Sequence, residues 1–223
     1  MHRVTACVIL FFIFFVGCPS QNIDKQQYYE KGRNDLKEGN LNGAIIAFKK
    51  AIEQDQSYFE ARYQLALTYV LKNKYEFAER ELLKVMRLNP SLNDVHLVLA
   101  KVYLHMVRED SALEEIRIYL RSSGNNPEAY DVAASVYVAK KDYTKAEEAV
   151  NMSLKISPER LSSKILLAEI CLESGKTGRA EAIVNEILDL DGRNNSALYL
   201  RKKIKEKQNN ERSKEEAVVN KKK

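Results

Sequence analysis

The chain has 223 residues, with 36 Lys and Arg against 31 Asp and Glu, for a net charge of +5. Eight Gly and four Pro are too few for an all-β chain that turns roughly every ten residues, so helix is expected throughout. Three cysteines, at positions 7, 18 and 171, and three scattered histidines exclude a disulfide framework or a Cys-rich zinc site, and no metal or cofactor is expected.

At the N-terminus, Met1-His2-Arg3 precede an apolar run from Val4 to Val16, followed by Gly17-Cys18-Pro19-Ser20. A membrane-spanning helix needs about 20 apolar residues. This run is shorter, as in an export signal. Phe15-Val16-Gly17-Cys18 resembles the lipobox of bacterial lipoproteins, with Phe15 standing where an aliphatic residue is usual. The resemblance implies a signal peptide over 1–17, a diacylated Cys18 as mature N-terminus and a linker over 18–24. Several acyl chains on one residue anchor stably where a single chain is marginal. Pro19 in place of Asp implies the outer membrane, by similarity to enteric lipoproteins. Ordinary secretion or a signal anchor is the alternative.

From residue 25 onward a rhythm sets in. Alanines recur at 44, 78, 112, 146 and 180, each 34 residues after the last. Four residues beyond each stands a large apolar side chain: Phe48, Leu82, Ile116, Val150 and Val184. That spacing is one helical turn along the same face. Twelve residues before each alanine sit only small side chains, Gly32, Ala66, Ala100, Ala134 and Ala168, where two helices can approach closely. Short polar stretches that tolerate left-handed backbone separate the two helices of a copy: Glu38-Gly39-Asn40, Lys72-Asn73-Lys74, Lys140-Lys141-Asp142 and Ser174-Gly175-Lys176. These suit an αα-hairpin turn. The third copy, Met106 to Asp110, lacks that chemistry.

The pattern resembles the tetratricopeptide repeat, whose 34-residue frame carries an aromatic, Leu-Gly, Tyr, Ala, Phe, Ala and Pro. Frames fall at 25–58, 59–92, 93–126, 127–160 and 161–194. The second frame carries Leu65-Ala66, Tyr69, Tyr75, Ala78, Leu82 and Pro90. The fourth carries Tyr130, Tyr137, Tyr143, Ala146 and Pro158. The expected fold is all-α, a right-handed α-solenoid of five helix-turn-helix repeats. Because a repeat cannot bury its apolar face alone, the last one needs a cap. Residues 195–208 are expected to supply a capping helix, with Leu198 and Tyr199 inward. Residues 201–223 hold ten basic and four acidic side chains. The stretch 209–223 has little to bury and is expected to be a disordered basic tail.

No enzymatic constellation emerges. Glu114-Glu115 and Glu147-Glu148 are adjacent on helices and diverge by about 100°, so neither pair shares a site. His96 takes the aromatic position of its frame and Cys171 a core position. Phosphate-binding glycine loops are absent.

Family resemblance implies that the first helix of each repeat lines a concave groove holding a peptide or partner helix. The corresponding residues are Tyr29, Arg33, Tyr63, Leu67, Leu97, Val98, Lys101, His105, Val132, Ser135, Leu166 and Glu169. A Lys/Asn/Arg clamp for a C-terminal carboxylate, known in chaperone adaptors of the family, is missing: its places hold Tyr29, Arg33, Gln64, Asp94 and Val98. An apolar or amphipathic protein segment is therefore the expected partner, with no nucleic acid. The expected role is a non-catalytic scaffold at the cell envelope, in assembly of an envelope, pilus or secretion complex. The alternative is an accessory subunit of an exopolysaccharide system.

Overall fold

The structure, a computed structural model, describes residues 24–221. Eleven helices and no strand occur among the described residues. They are α1 (Lys25–Lys37), α2 (Leu41–Gln54), α3 (Phe59–Leu71), α4 (Tyr75–Leu88), α5 (Asp94–His105), α6 (Glu109–Ser122), α7 (Pro127–Ala139), α8 (Tyr143–Ile156), α9 (Leu161–Glu173), α10 (Thr177–Leu190) and α11 (Asn195–Lys221). Each odd-numbered helix from α1 to α9 forms a hairpin with the next, and successive hairpins stack.

The recurring alanines are the closest-packed points of the stack. Ala44, Ala78, Ala112, Ala146 and Ala180 have no exposed surface. Of their i+4 partners, Phe48, Leu82, Val150 and Val184 are likewise fully buried and Ile116 nearly so. Two apolar clusters result, one running through the first three hairpins to Val136 of α7 and the other from the third hairpin to α11.

All five hairpin turns are built alike. Gly39, Asn73, Val107, Lys141 and Gly175 adopt positive φ, between 55° and 83°, again 34 residues apart. In each, the following N–H reaches five residues back: Asn40 to Asp35, Lys74 to Tyr69, Arg108 to Tyr103, Asp142 to Tyr137 and Lys176 to Cys171, at 2.8–2.9 Å. This left-handed cap satisfies carbonyls that the helix end leaves unpaired. The third hairpin makes the same turn although its residues lack turn chemistry. Val107 takes the left-handed position at φ 57°, because the helices on either side pack in the same register as their neighbours.

The position where the frame has its aromatic varies together with the residue facing it. Arg62 donates to Glu81 at 2.8 Å, and His96 Nδ1 lies 2.6 Å from Glu115. At the equivalent places of the first and fourth hairpins stand Tyr28 with Ala47 and Tyr130 with Ala149. In these four hairpins basic residues thus face a carboxylate and aromatics a methyl group, whereas in the fifth Lys164 stands opposite Ile183 and pairs with Glu186 at 2.8 Å.

The C-terminal helix differs from expectation in two ways. It runs 27 residues to Lys221 instead of ending at 208, since Lys, Glu, Gln and Arg are good helix formers and no Gly or Pro interrupts them. Its inward stripe is Ala197, Leu200 and Ile204, each at most 2% exposed, not Leu198 and Tyr199. Leu198 is half-buried, while Tyr199 is exposed beneath the Lys203 ammonium, 5.2 Å from its ring centre.

Candidate functional site

Helix α3 touches α5, α5 touches α7, α7 touches α9 and α9 touches α11. The first helices α3, α5, α7 and α9 therefore form one continuous wall that ends on α11, and α1 joins it through α2 and the contact of Tyr29 with Tyr58.

At its N-terminal end, Tyr29 is half-buried, its ring 5.3 Å from that of Tyr58 and 5.9 Å from that of Phe48. Arg33 is exposed, lies over the Tyr29 ring and pairs with Glu30 at 3.2 Å. Tyr63 and Leu67 follow on α3, both half-buried. Burial pushes the Tyr63 hydroxyl up to about 12, with the Asp94 carboxylate adding to it. Val98 continues the apolar strip on α5, and Lys101, one turn on, is tied to Glu128 of α7 at 2.6 Å.

Two of the expected wall residues belong to the core instead. Leu97 and Val132 are 6% and 8% exposed and lie in the cluster between α5 and α7. Where one first helix packs on the next, the side chain aimed at the neighbour is consumed by that contact. His105 is exposed but stacks flat on Tyr75, with ring centres 4.7 Å apart. Tyr75 opens α4 of the preceding hairpin, so His105 sits at the turn edge of the wall.

The C-terminal part is more polar. Ser135 donates back to the Asp131 carbonyl at 2.9 Å. Asp131 itself accepts from Ser163 at 2.7 Å and Arg160 at 2.8 Å, stapling the fourth hairpin to the fifth. Leu166 is half-buried against the second cluster. Glu169 is exposed in the angle between α9 and α11, where partial desolvation raises its carboxyl pKa and Lys203 opposes the rise.

Leu71 is an additional wall residue. It is 63% exposed and lies one helical turn beyond Leu67, extending the stripe of Tyr63 and Leu67 to the end of α3. The i, i+4, i+8 spacing was the available signal; Val70, next to it, turns into the helix interface instead. Tyr63, Leu67, Leu71 and Val98 together form an apolar strip flanked by Arg33 and Lys101.

Chemistry-bearing clusters are sparse. Among the described residues no three His, Cys, Asp or Glu side chains converge on a metal-sized site. Cys171 is fully buried and its thiol pKa is raised by that burial. No described helix is long and apolar enough to cross a membrane. Cys18, the expected lipidation site, lies outside the described residues.

Tetratricopeptide-repeat family models match residues 29–93 and 127–160. DnaJ homolog subfamily C member 7 of Mus musculus is 24% identical over 193 residues, covering 80% of this chain but only 38% of that protein. The chain thus spans well under half the length of that relative. Among solved structures, a tetratricopeptide repeat protein from Parabacteroides merdae superposes with a TM-score of 0.77 at 18% identity, over 85% of this chain and 74% of the other. YrrB, described as a TPR protein with an unusual peptide-binding site, superposes at 0.62 with 18% identity, over 82% and 94% of the two chains. The 34-residue rhythm, the five like-built hairpins and these matches agree: the chain belongs to the tetratricopeptide-repeat family.

Proposed function

We propose that this protein is a non-catalytic scaffold that holds an apolar or amphipathic segment of a partner protein against the wall of its first helices. The observation that carries the reading is the strip of Tyr63, Leu67, Leu71 and Val98, which leaves large apolar side chains in reach of solvent on one continuous face. Such a strip suits a helix or extended peptide bound by periodic apolar anchors. Arg33 and Lys101 are already engaged by Glu30 and Glu128, so charge serves orientation more than grip. The peptide-binding site in the description of YrrB fits this use of the fold.

We place the scaffold at the cell envelope, outer-membrane anchored through a lipid on Cys18 and facing the periplasm, in assembly of an envelope, pilus or secretion complex. The support is the order of charge, apolar run and Gly17-Cys18 at the N-terminus. Co-purification from membranes through a C-terminal tag, with mass spectrometry, tests the scaffold. A Leu67→Glu/Leu71→Glu protein should keep its helical spectrum and lose its partner; an unchanged partner set overturns the assigned wall. Metabolic labelling with a fatty acid, blocked by Cys18→Ser and by globomycin, tests the anchor.

A further inference from the structure

Along the second-helix side of the stack, the fourth hairpin is under-filled. Where the second, third and fifth hairpins carry Leu65, Leu99 and Leu167, it carries Ala133; facing it is Ala149, where the second, third and fifth have Glu81, Glu115 and Ile183. A cleft of about 420 Å³ opens there between α6, α7 and α8. Its floor is Ala133 between the rings of Tyr130 and Tyr137, and its wall is Leu113, Ile116 and Leu120 of α6. Arg117 and Arg121 stand at its rim. Arg117 pairs with Glu114 at 2.6 Å, while Arg121 is exposed and makes no ion pair among the described residues. An apolar cleft under two guanidinium groups fits a large apolar side chain flanked by carboxylates.

The same chain carries that combination. Leu190 ends α10 at 74% exposure, with Asp189 and Asp191 exposed on either side. Asp191 accepts from the Arg193 N–H at 3.1 Å, which leaves the rest of its carboxylate to solvent. Equivalent positions earlier in the chain are better covered, Leu88 at 41% exposure and Ile156 half-buried. Among the described residues only the single helix α11 packs beside α10, and it leaves Leu190 uncovered.

The geometry points to self-association, with Leu190 of one copy seated on Ala133 of another and Asp189 and Asp191 facing Arg117 and Arg121. Knob and cleft lie on one chain, so the contact either closes reciprocally into a pair or propagates from copy to copy. It leaves the first-helix wall open to a partner.

The test is sedimentation of the full-length chain in mild detergent, with circular dichroism melting on the same samples. Wild type should sediment as a concentration-dependent species larger than one copy. Ala133→Leu restores the residue of the sister hairpins, so it should melt no lower than wild type while association weakens at least roughly tenfold, a change of about 1.4 kcal/mol. Leu190→Lys should do the same from the other side. Arg117→Glu/Arg121→Glu and Asp189→Lys/Asp191→Lys proteins should each fail to associate alone and associate when mixed. A wild type that stays a single copy at its highest soluble concentration, an Ala133→Leu protein that associates like wild type, or charge-reversed proteins that fail to associate on mixing would each overturn the contact.

Discussion

Gly32 and Phe48 fit each other as a pair: a Cβ built on Gly32 would lie 2.5 Å from Cε1 of the Phe48 ring. The next hairpin solves the same contact with Ala66 and Leu82, both fully buried. Trading a hydrogen for a methyl group on one helix is matched by trading a ring for a branched chain on the other. Gly32→Ala should therefore destabilise by about 1–2 kcal/mol, the overpacking cost exceeding the roughly 1 kcal/mol gained in helix propensity. Adding Phe48→Leu should recover most of the loss, and a double-mutant cycle by urea unfolding measures the coupling. Additive effects would contradict the fit.

Val107 makes the opposite case. A β-branched residue at φ 57° is strained by about 1–3 kcal/mol, and with 74% of its surface exposed its side chain returns little packing. Val107→Gly should raise stability by about 1 kcal/mol, the relief of strain outweighing the added entropy of the unfolded chain. Val107→Asn should recover part of this, because asparagine tolerates left-handed backbone, as Asn73 does in the preceding turn. A lower melting temperature for Val107→Gly would show that the side chain carries a contact after all.

The Arg62–Glu81 pair is largely withdrawn from solvent, with side chains 8% and 14% exposed. Arg62 also donates to the Gln56 carbonyl at 2.9 and 3.2 Å. Glu81→Ala strands a buried guanidinium with only neutral acceptors and should cost about 2–4 kcal/mol. Arg62→Tyr/Glu81→Ala copies the arrangement of Tyr130 and Ala149 and should lie within about 1 kcal/mol of wild type, because a buried ion pair contributes little net stability over a packed apolar pair. Chemical denaturation of the three proteins distinguishes the two outcomes.

Glu147 ties the fourth hairpin to the fifth through Lys176 at 2.6 Å and through Arg179. Hydrogen bonds from Lys176 and then Arg179 hold its carboxyl pKa below the ordinary 4.5. A depressed folded pKa means that its stabilisation is complete above about that ordinary value and is lost as pH falls through the lower folded one. Both cations are half-exposed, so the contribution is of order 1 kcal/mol at most. Glu147→Gln should be less stable than wild type at neutral pH and converge with it in acid. Equal separation of the two unfolding curves at both pH values would remove the link.

The repeat, its period and the buried stripe were legible in the sequence because burial against a neighbouring helix demands the same side chains every 34 residues. Ala44 through Ala180 and their i+4 partners needed no coordinates. The hairpin turns were legible where Gly39, Asn73 or Gly175 advertised left-handed backbone; at Val107 the packing of α5 on α6 imposed the turn on a residue that does not favour it. Which face of each first helix stays open was decided by stacking. Leu97 and Val132 share the apolar pattern of Tyr63 and Leu166, yet contact between α5 and α7 consumes them, whereas Leu71 at the end of α3 stays in the open. The cleft over Ala133 is likewise a tertiary feature, since a small residue leaves a gap only where the helices opposite cannot close on it.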